Sequence, residues 1–325
     1  MSAGWNTIES DAVGLLLTLS TSPNSDLQGV FTYLIDNLGV KDVQFEELIS
    51  LDPAELQQLS PIYGVIFLFK YPTGEAKSTE PRDGSYDYAA AENMFFANQV
   101  IQNACGTQAL LSVLLNKQDK VDIGNKLKEF KEFTMAFPPE LRGETLSNSE
   151  LIRDVHNSFA RSSPFVDETQ RMATESDDVY HFIAYTCING KLYEIDGLQP
   201  APISHGDCTM EMFPEAVIPV LQRRINRYPA DEIRFNLLAM VRDLRVRAKE
   251  LGDEESINRE DKRREAWLWE NALRRHNFVE FSNEVLKAVV TDGVSQGTYE
   301  KWLETAQGKT NKRIEESRKK GVVEE

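Results

Sequence analysis

Four side chains in this sequence carry the groups that nucleophilic attack on a carbonyl carbon requires. Cys105 supplies a thiol, whose thiolate form is the nucleophile. His181 can take up and return a proton, and the carboxylate of Asp196 can orient the imidazole. The amide of Gln99, together with the Cys105 backbone N–H, can stabilise the resulting oxyanion. Spacing alone gives only weak support for this role of Gln99. The alternative, that Gln99 is an ordinary glutamine on a helix surface, remains open.

The segment QVIQNACGTQALLSVLLN, residues 99–116, predicts a helix that begins near the candidate nucleophile. Asn103 is a suitable N-cap, which places Cys105 in the first turn, where the positive end of the helix favours a thiolate. The alternative is that Cys105 is a small buried apolar residue, the commoner environment for a free cysteine. Four apolar residues share one face of the predicted helix: Ala109, Leu110, Val113 and Leu114.

Two strand-like runs flank Asn189-Gly190, the dipeptide typical of a two-residue type I′ hairpin. Counting back from that turn places Ile183 opposite Asp196. Side chains alternate between faces, so His181 and Asp196 become diagonal neighbours on one face, within side-chain reach. A bulge or a slip of one residue would send them to opposite faces. The alternatives are that His181 is a hydrogen-bonded core residue and that Asp196 only forms a turn.

The remaining histidines and cysteines have weaker claims to chemistry. We interpret Cys187, in the middle of an apolar strand, as a core residue. Cys208 and His205 form only a weak pair of metal-ligand types. Three histidines have no carboxylate partner evident in the sequence and are interpreted as structural: His156, His205 and His276.

Composition excludes several classes of protein. The 325 residues include 36 basic and 52 acidic side chains, a net charge of −16 that argues against binding to nucleic acid phosphates. Three cysteines form no disulfide framework, which favours a reducing compartment. The N-terminus has no basic flank before its short apolar run, so neither a signal peptide nor a membrane span is expected. We expect an intracellular protein, in the cytoplasm and nucleus.

The order of sequence patterns predicts two regions. Residues 61–70 are predicted to form a buried strand, and residues 71–93 and 158–178 exposed loops. After residue 229 the composition shifts to charged amphipathic helices, beginning with a helix over 230–255. We place the boundary at 232/233, with an α/β or α+β domain over 1–232. The helical region over 233–325 is then an extension for docking to a partner.

Two long motifs resemble the ubiquitin C-terminal hydrolases, a family of papain-like cysteine peptidases. They are FFANQVIQNACGTQALLSVLLN and HFIAYTCINGKLYEIDGL, which contain all four candidate residues. Shorter matches are WNTIESD, LSPIYGVIFLFK and DEIRFNLLAMVRD. The segment LWENALRRHNFVEF is similar to the C-terminal extension of the members that associate with the proteasome. The resemblance covers residues 5 to about 310.

The resemblance implies a deubiquitinating thiol hydrolase with a knotted fold, in which helices flank a central antiparallel sheet. It makes Cys105 the nucleophile, His181 the general base and acid, Asp196 the orienting carboxylate and Gln99 the oxyanion donor. Residues 158–178 become the crossover loop above the active site. Ubiquitin is the implied substrate, and no metal or organic cofactor is implied. The C-terminal helices would dock on the ubiquitin-receptor subunit of the proteasome, and in some members on a chromatin-remodelling complex.

Two departures from the family pattern leave other functions open. Gly106 follows the cysteine where alanine is usual, and residues 12–28 form an insert before Gly29-Val30-Phe31. The main alternative is therefore a ubiquitin-binding adaptor at the proteasome whose hydrolase domain is idle. A general papain-type protease is a second alternative, disfavoured because the match extends to whole motifs.

Overall fold

The computed structural model describes Trp5 and residues 26–71, 81–158, 180–229, 235–276 and 279–319. Its described strands form one sheet, and each described pairing is antiparallel. The strands are β1 (Val43–Glu47), β2 (Ile62–Lys70), β3 (Ser85–Tyr86), β4 (Tyr180–Ile188), β5 (Lys191–Ile195), β6 (Ile203–Asp207) and β7 (Asn236–Arg242). They lie in the order β1-β7-β2-β4-β5-β6-β3. The predicted strand over 61–70 is confirmed as β2.

The chain divides into two compact units, residues 1–275 and 276–325. The described helices of the first unit are α1 (Asp26–Leu38), α2 (Pro53–Gln58), α3 (Tyr88–Asn93), α4 (Cys105–Leu114), α5 (Gly124–Thr134), α6 (Pro139–Asn148), α7 (Glu150–Asn157), α8 (Phe213–Ile225), α9 (Leu244–Leu251) and α10 (Glu254–Arg275). Those of the second unit are α11 (Val279–Ser295) and α12 (Tyr299–Lys319).

Helices cover both faces of the sheet, because successive strand residues point to opposite sides and both sides are apolar. On β4, Phe182 packs into a core that includes α1 and α4. The next residue, Ile183, packs into a second core with α2 and α8. The predicted fold class, an antiparallel sheet flanked by helices and followed by a helical extension, is confirmed.

The predicted helix over 230–255 is wrong for residues 236–242. These residues form β7, which lies between β1 and β2 inside the sheet. Its run NLLAMVR is apolar on both faces, and a short run of that kind fits a buried helix as well as a buried strand. The sequence boundary at 232/233 therefore precedes a strand of the sheet, whereas the first compact unit extends to Arg275.

Other predictions fall partly outside the described residues. The predicted crossover loop lies outside them from residue 159 onward, as do residues 12–25 of the insert, while residues 26–28 begin α1. The predicted loop over 71–93 contains β3 and α3 after an undescribed stretch at 72–80. Across the described ranges, no helix combines the length and apolar character that crossing a membrane requires.

Candidate active site

The β4–β5 hairpin brings His181 and Asp196 together as the sequence predicts. Asn189 and Gly190 have φ values of 49° and 79°, the left-handed pair of a type I′ turn. The ladder pairs Ala184 with Ile195, so the predicted register is confirmed. Asp196 directly follows Ile195, and its Oδ1 lies 2.7 Å from Nε2 of His181. Both side chains are buried.

The carboxylate of Asp196 is held in its ionised form. Burial acts to raise its pKa, but the charge of His181 and hydrogen bonds from His181 and from the Leu198 backbone N–H outweigh burial and lower the pKa. The Leu198 N–H donates to Asp196 Oδ1 across 2.9 Å. Because Nε2 of His181 is bonded to this carboxylate, its Nδ1 is the ring nitrogen that remains for a reacting group.

Aromatic side chains fix the plane of the His181 ring. Phe69 meets it edge-on with ring centroids 5.8 Å apart, and Tyr71 does the same at 5.4 Å. Phe69 belongs to β2, which pairs it with His181, and Tyr71 directly follows the last residue of that strand, Lys70. The imidazole therefore has a carboxylate at one end and rings at its sides, which restricts its rotation.

Cys105 is the first residue of α4 and follows a short 3₁₀ turn. Its side chain lies at the edge of a buried core, with 7% of its surface exposed. The N-cap prediction is wrong, because Ala104 occupies that position and makes no side-chain cap. The amide of Asn103 instead donates to the Trp5 carbonyl oxygen across 3.2 Å. Cys105 still lies in the first turn, as predicted.

The start of α4 lies against the strand that carries His181. Gly106, next to Cys105, packs so closely on Phe182, next to His181, that a β-carbon added there would lie 3.2 Å from two carbons of the Phe182 ring. The thiol-bearing turn and the imidazole-bearing strand are therefore neighbours through adjacent residues.

The segment that carries Gln99 lies against the loop that follows Asp196. The Gln99 backbone N–H donates to the carbonyl oxygen of Gly197 across 2.8 Å. Gly197 directly follows Asp196, so the Gln99 backbone lies next to the acid-bearing loop. Contacts between neighbouring residues thus bring together the Gln99 segment, the start of α4, the start of β4 and the loop after β5.

Comparison with known proteins identifies the family. The model of ubiquitin carboxyl-terminal hydrolase, family 1, matches residues 24–226, and that of ubiquitin carboxyl-terminal hydrolases matches residues 253–294. The chain belongs to the ubiquitin C-terminal hydrolases. Ubiquitin carboxyl-terminal hydrolase 2 of Schizosaccharomyces pombe is 52% identical over 311 residues, which cover 94% of this chain and 97% of that protein. The predicted enzyme class, a cysteine-type deubiquitinase, is confirmed.

Two further relatives support the same family. Ubiquitin carboxyl-terminal hydrolase isozyme L5 of Dictyostelium discoideum is 43% identical, over 76% of this chain and 64% of that protein. The crystal structure of Trichinella spiralis UCH37 bound to ubiquitin vinyl methyl ester is similar, with a TM-score of 0.59 and 32% identity. The similarity covers 83% of this chain and 99% of that chain.

The other cysteines of the hydrolase are buried in the described structure. Cys187 lies in the second core, as predicted, and its thiol donates to the Cys208 carbonyl oxygen across 2.7 Å. Cys208 donates to the Thr209 carbonyl oxygen, and His205 lies 3.4 Å from a Glu194 carboxylate oxygen. Among the described residues, no group of three or more His, Cys, Asp or Glu side chains is arranged to hold a metal ion.

Sequence reasoning missed two side chains that hold the nucleophile's helix in place. Thr107 Oγ1 lies 2.8 Å from Nδ1 of His156, which is itself buried against Trp5 with ring centroids 4.8 Å apart. Gln108 donates through Nε2 to the Ala97 carbonyl oxygen across 2.6 Å. The signal was the polar pair Thr-Gln inside an otherwise apolar helix, since buried polar groups need specific partners.

Proposed function

We propose that this hydrolase cleaves the bond after the C-terminal glycine of ubiquitin, with Cys105 as the nucleophile. His181 takes the proton of the Cys105 thiol, and the resulting thiolate attacks the glycine carbonyl carbon. The oxyanion is stabilised by the Gln99 amide and the Cys105 N–H. His181 protonates the leaving amine, which departs and leaves a thioester. His181 then removes a proton from water, which attacks the thioester and releases ubiquitin with a free carboxylate and Cys105 as thiol.

The observation that carries this proposal is the His181–Asp196 pair beside the start of α4. The bond of 2.7 Å between Nε2 and Oδ1 orients the ring and stabilises the imidazolium that forms during proton transfer. The helix N-terminus supplies partial positive charge at the thiol, which favours the thiolate. The similar Trichinella UCH37 is bound to ubiquitin vinyl methyl ester, which supports ubiquitin as the substrate here.

Hydrolysis of ubiquitin carrying a fluorogenic C-terminal amide tests the proposal. Cys105→Ala and His181→Ala are each expected to lower kcat by roughly 10³-fold or more, as removal of a nucleophile or its base does in comparable triads. Cys187→Ala is the matched control, because Cys187 is a buried cysteine of the second core. Hydrolysis that persists in Cys105→Ala and disappears in Cys187→Ala would refute the assignment.

The negative charge of the chain suits a basic substrate segment. With a net charge of −16, long-range attraction is expected to raise the rate of association with the basic C-terminal tail of ubiquitin. Salt screens such attraction, so the association rate should fall as ionic strength rises. Ubiquitin with charge-reversed tail residues should lose that dependence, and an unchanged rate would exclude the attraction.

We further propose that the second unit docks on the proteasome's ubiquitin-receptor subunit, with a chromatin-remodelling complex as a second host in the nucleus. An exposed apolar surface on the second unit supports this proposal, because large apolar patches rimmed by polar residues often mark interaction sites. A cavity of about 420 Å³ between α11 and α12 is lined by residues that include Val289 and Trp302. The exposed large apolar side chains among the described residues of this unit are Val279, Phe281, Val285, Leu286, Val289, Val294, Trp302 and Ile314.

Co-sedimentation of the full chain with purified proteasomes tests this docking. Val285→Glu with Val289→Glu places two negative charges one helical turn apart on α11 and is expected to abolish binding. Asn283→Glu with Thr291→Glu adds the same two charges at exposed polar positions of that helix and controls for charge change alone. Equal binding by all variants would refute docking through this surface.

A fluorescent fusion of the full chain is expected in both cytoplasm and nucleus, and its confinement to the secretory pathway would contradict that expectation.

A further inference from the structure

His181 lies on β4, and three further segments carry the other groups of the proposed reaction. The thiol is on α4, the amide of Gln99 is on the extended segment before it, and Asp196 is on the loop after β5. Such groups must be held within about half an ångström of a productive geometry, and a shift of 1 Å can cost roughly 100-fold in rate. A side chain that contacts all three segments is therefore placed to set that geometry.

Gln108 contacts two of these segments from the third. It lies three residues after Cys105 on α4, hence on the same side of the helix, and only 5% of its surface is exposed. Its Nε2 donates to the carbonyl oxygen of Ala97 across 2.6 Å. Ala97 precedes Gln99 by two residues, so this bond ties the nucleophile's helix to the segment that carries the oxyanion donor.

Gly197 brings the third segment to the same point. A β-carbon added to Gly197 would lie 2.2 Å from Gln108 Nε2 and 3.0 Å from the Gln99 β-carbon. Only a residue without a β-carbon can approach the amide so closely. The Gly197 carbonyl oxygen also accepts from the Gln99 N–H across 2.8 Å. Asp196 is therefore separated from this junction by a single peptide bond.

We propose that Gln108 is a positioning residue for the hydrolysis, fixing the nucleophile's helix, the oxyanion segment and the acid-bearing loop relative to one another. The inference rests on the proposed function, and it adds a determinant that does not touch the substrate. The amide N–H is the essential group, because it satisfies a buried carbonyl and sets the distance between α4 and residue 97. Close packing of Gly197 on the same amide then fixes the loop.

Gln108→Met is the most direct test, because methionine keeps the length and volume of the side chain and removes the donor. With ubiquitin carrying a fluorogenic C-terminal amide as substrate, kcat per reactive site should fall roughly 10- to 100-fold while KM stays within about threefold. The number of reactive sites is measured by titration with a ubiquitin C-terminal electrophile, so an unfolded fraction does not enter kcat.

Ser112→Ala is the matched control. Ser112 is buried on the same helix, one turn further, and its hydroxyl donates to the Gln108 backbone carbonyl oxygen across 2.8 Å. Its loss is expected to lower the melting temperature with kcat per site within about twofold of the unmutated protein. Gln108→Met should separate from it by a fall in kcat per site, which loss of stability alone does not produce.

Gly197→Ala disturbs the junction from the loop side and serves where Gln108→Met gives no folded protein. It should show the same fall in kcat per site at nearly constant KM. A kcat per site within twofold of the unmutated value in the folded variants would overturn the positioning role. If the unmutated protein itself forms no adduct and releases no fluorophore, the proposed function fails instead, so the two failures are distinguishable.

Discussion

Gly106 packs closely against the ring of Phe182. A β-carbon at Gly106 would lie 3.2 Å from two carbons of that ring and 3.3 Å from the ring of Phe31. Both rings are buried and lie 5.4 Å apart, centroid to centroid. The glycine that departs from the usual family motif thus fits the aromatic residues around it. The same contact joins the turn that begins with Cys105 to the strand that carries His181.

Gly106→Ala is therefore expected to destabilise the protein. Alanine gains less than about 1 kcal/mol in helix propensity near a helix start. Forcing a methyl group between two buried rings costs about 1–3 kcal/mol, which outweighs that gain. Urea unfolding should show a net loss of free energy of unfolding, and kcat should fall because the turn bearing Cys105 shifts. A variant that is more stable and equally active would show that the rings of Phe182 and Phe31 shift to admit the methyl group without cost, and would contradict this prediction.

Asp196→Asn tests the charge beside His181. The amide keeps the size of the carboxylate but removes the negative charge that stabilises an imidazolium, so kcat should fall by at least about tenfold. Measurement of kcat and KM on a fluorogenic ubiquitin amide, with the exposed Asp207→Asn as the control, separates this from a general loss of charge. Equal kcat in both variants would contradict the role of Asp196.

Glu194 gives the fold a defined response to acid. Burial acts to raise its pKa, but the Arg224 charge and hydrogen bonds from His205 and Tyr185 lower it to about 2, from an ordinary value of 4.5. A pKa lowered on folding stabilises the protein above the ordinary value, and that stabilisation is lost as pH falls from about 4.5 towards 2. The shift corresponds to about 3 kcal/mol.

Glu194→Gln should therefore be less stable than the unmutated protein near pH 6. The gap between their free energies of unfolding should narrow as the pH is lowered from about 6 to about 3. Urea unfolding at several pH values measures that gap, and a gap independent of pH would contradict the lowered pKa.

Arg224→Met leaves the carboxylate of Glu194 buried without its cation, since Nη1 of Arg224 lies 2.6 Å from Oε1 of Glu194. It should cost about 3–5 kcal/mol of unfolding free energy at neutral pH.

Trp5 is anchored by contacts with α6, with α7 and with the short 3₁₀ turn before α4. Its indole packs on His156, its Nε1 donates to the Ser147 carbonyl oxygen across 3.1 Å, and its own carbonyl oxygen accepts from Asn103. Trp5→Ala should lower the free energy of unfolding by about 3–5 kcal/mol. Trp5→Phe keeps the ring contact and should cost about 1 kcal/mol. Equal stability of the alanine variant in urea would exclude this anchoring.

The hairpin was predictable because its geometry is local. A two-residue turn at Asn189-Gly190 fixes the register of both strands, and the register alone brings His181 and Asp196 to one face. Register gave no information on Cys105, which belongs to the first core and lies near β4 because α4 packs on that strand. Its placement in a first turn was predictable, whereas the capping residue was not.

The elements that were missed depend on distant parts of the chain. Residues 236–242 become a strand because β1 and β2 pair with both of its edges, and a run of seven residues contains no trace of those neighbours. Gln108 joins residues 97 and 197, and a glutamine in a helix does not reveal such partners. Its burial is evident only once the segments before α4 and after β5 are placed.

Reaction with a ubiquitin C-terminal electrophile, followed by peptide mapping, tests the central claim most directly. The predicted result is one adduct, on Cys105, that is absent in Cys105→Ala, slowed strongly in His181→Ala and retained in Cys187→Ala. The reaction is run both alone and with the proteasome's ubiquitin-receptor subunit, which also separates an enzyme from an idle adaptor. An adduct on Cys187 or Cys208, or no adduct under either condition, would contradict the account.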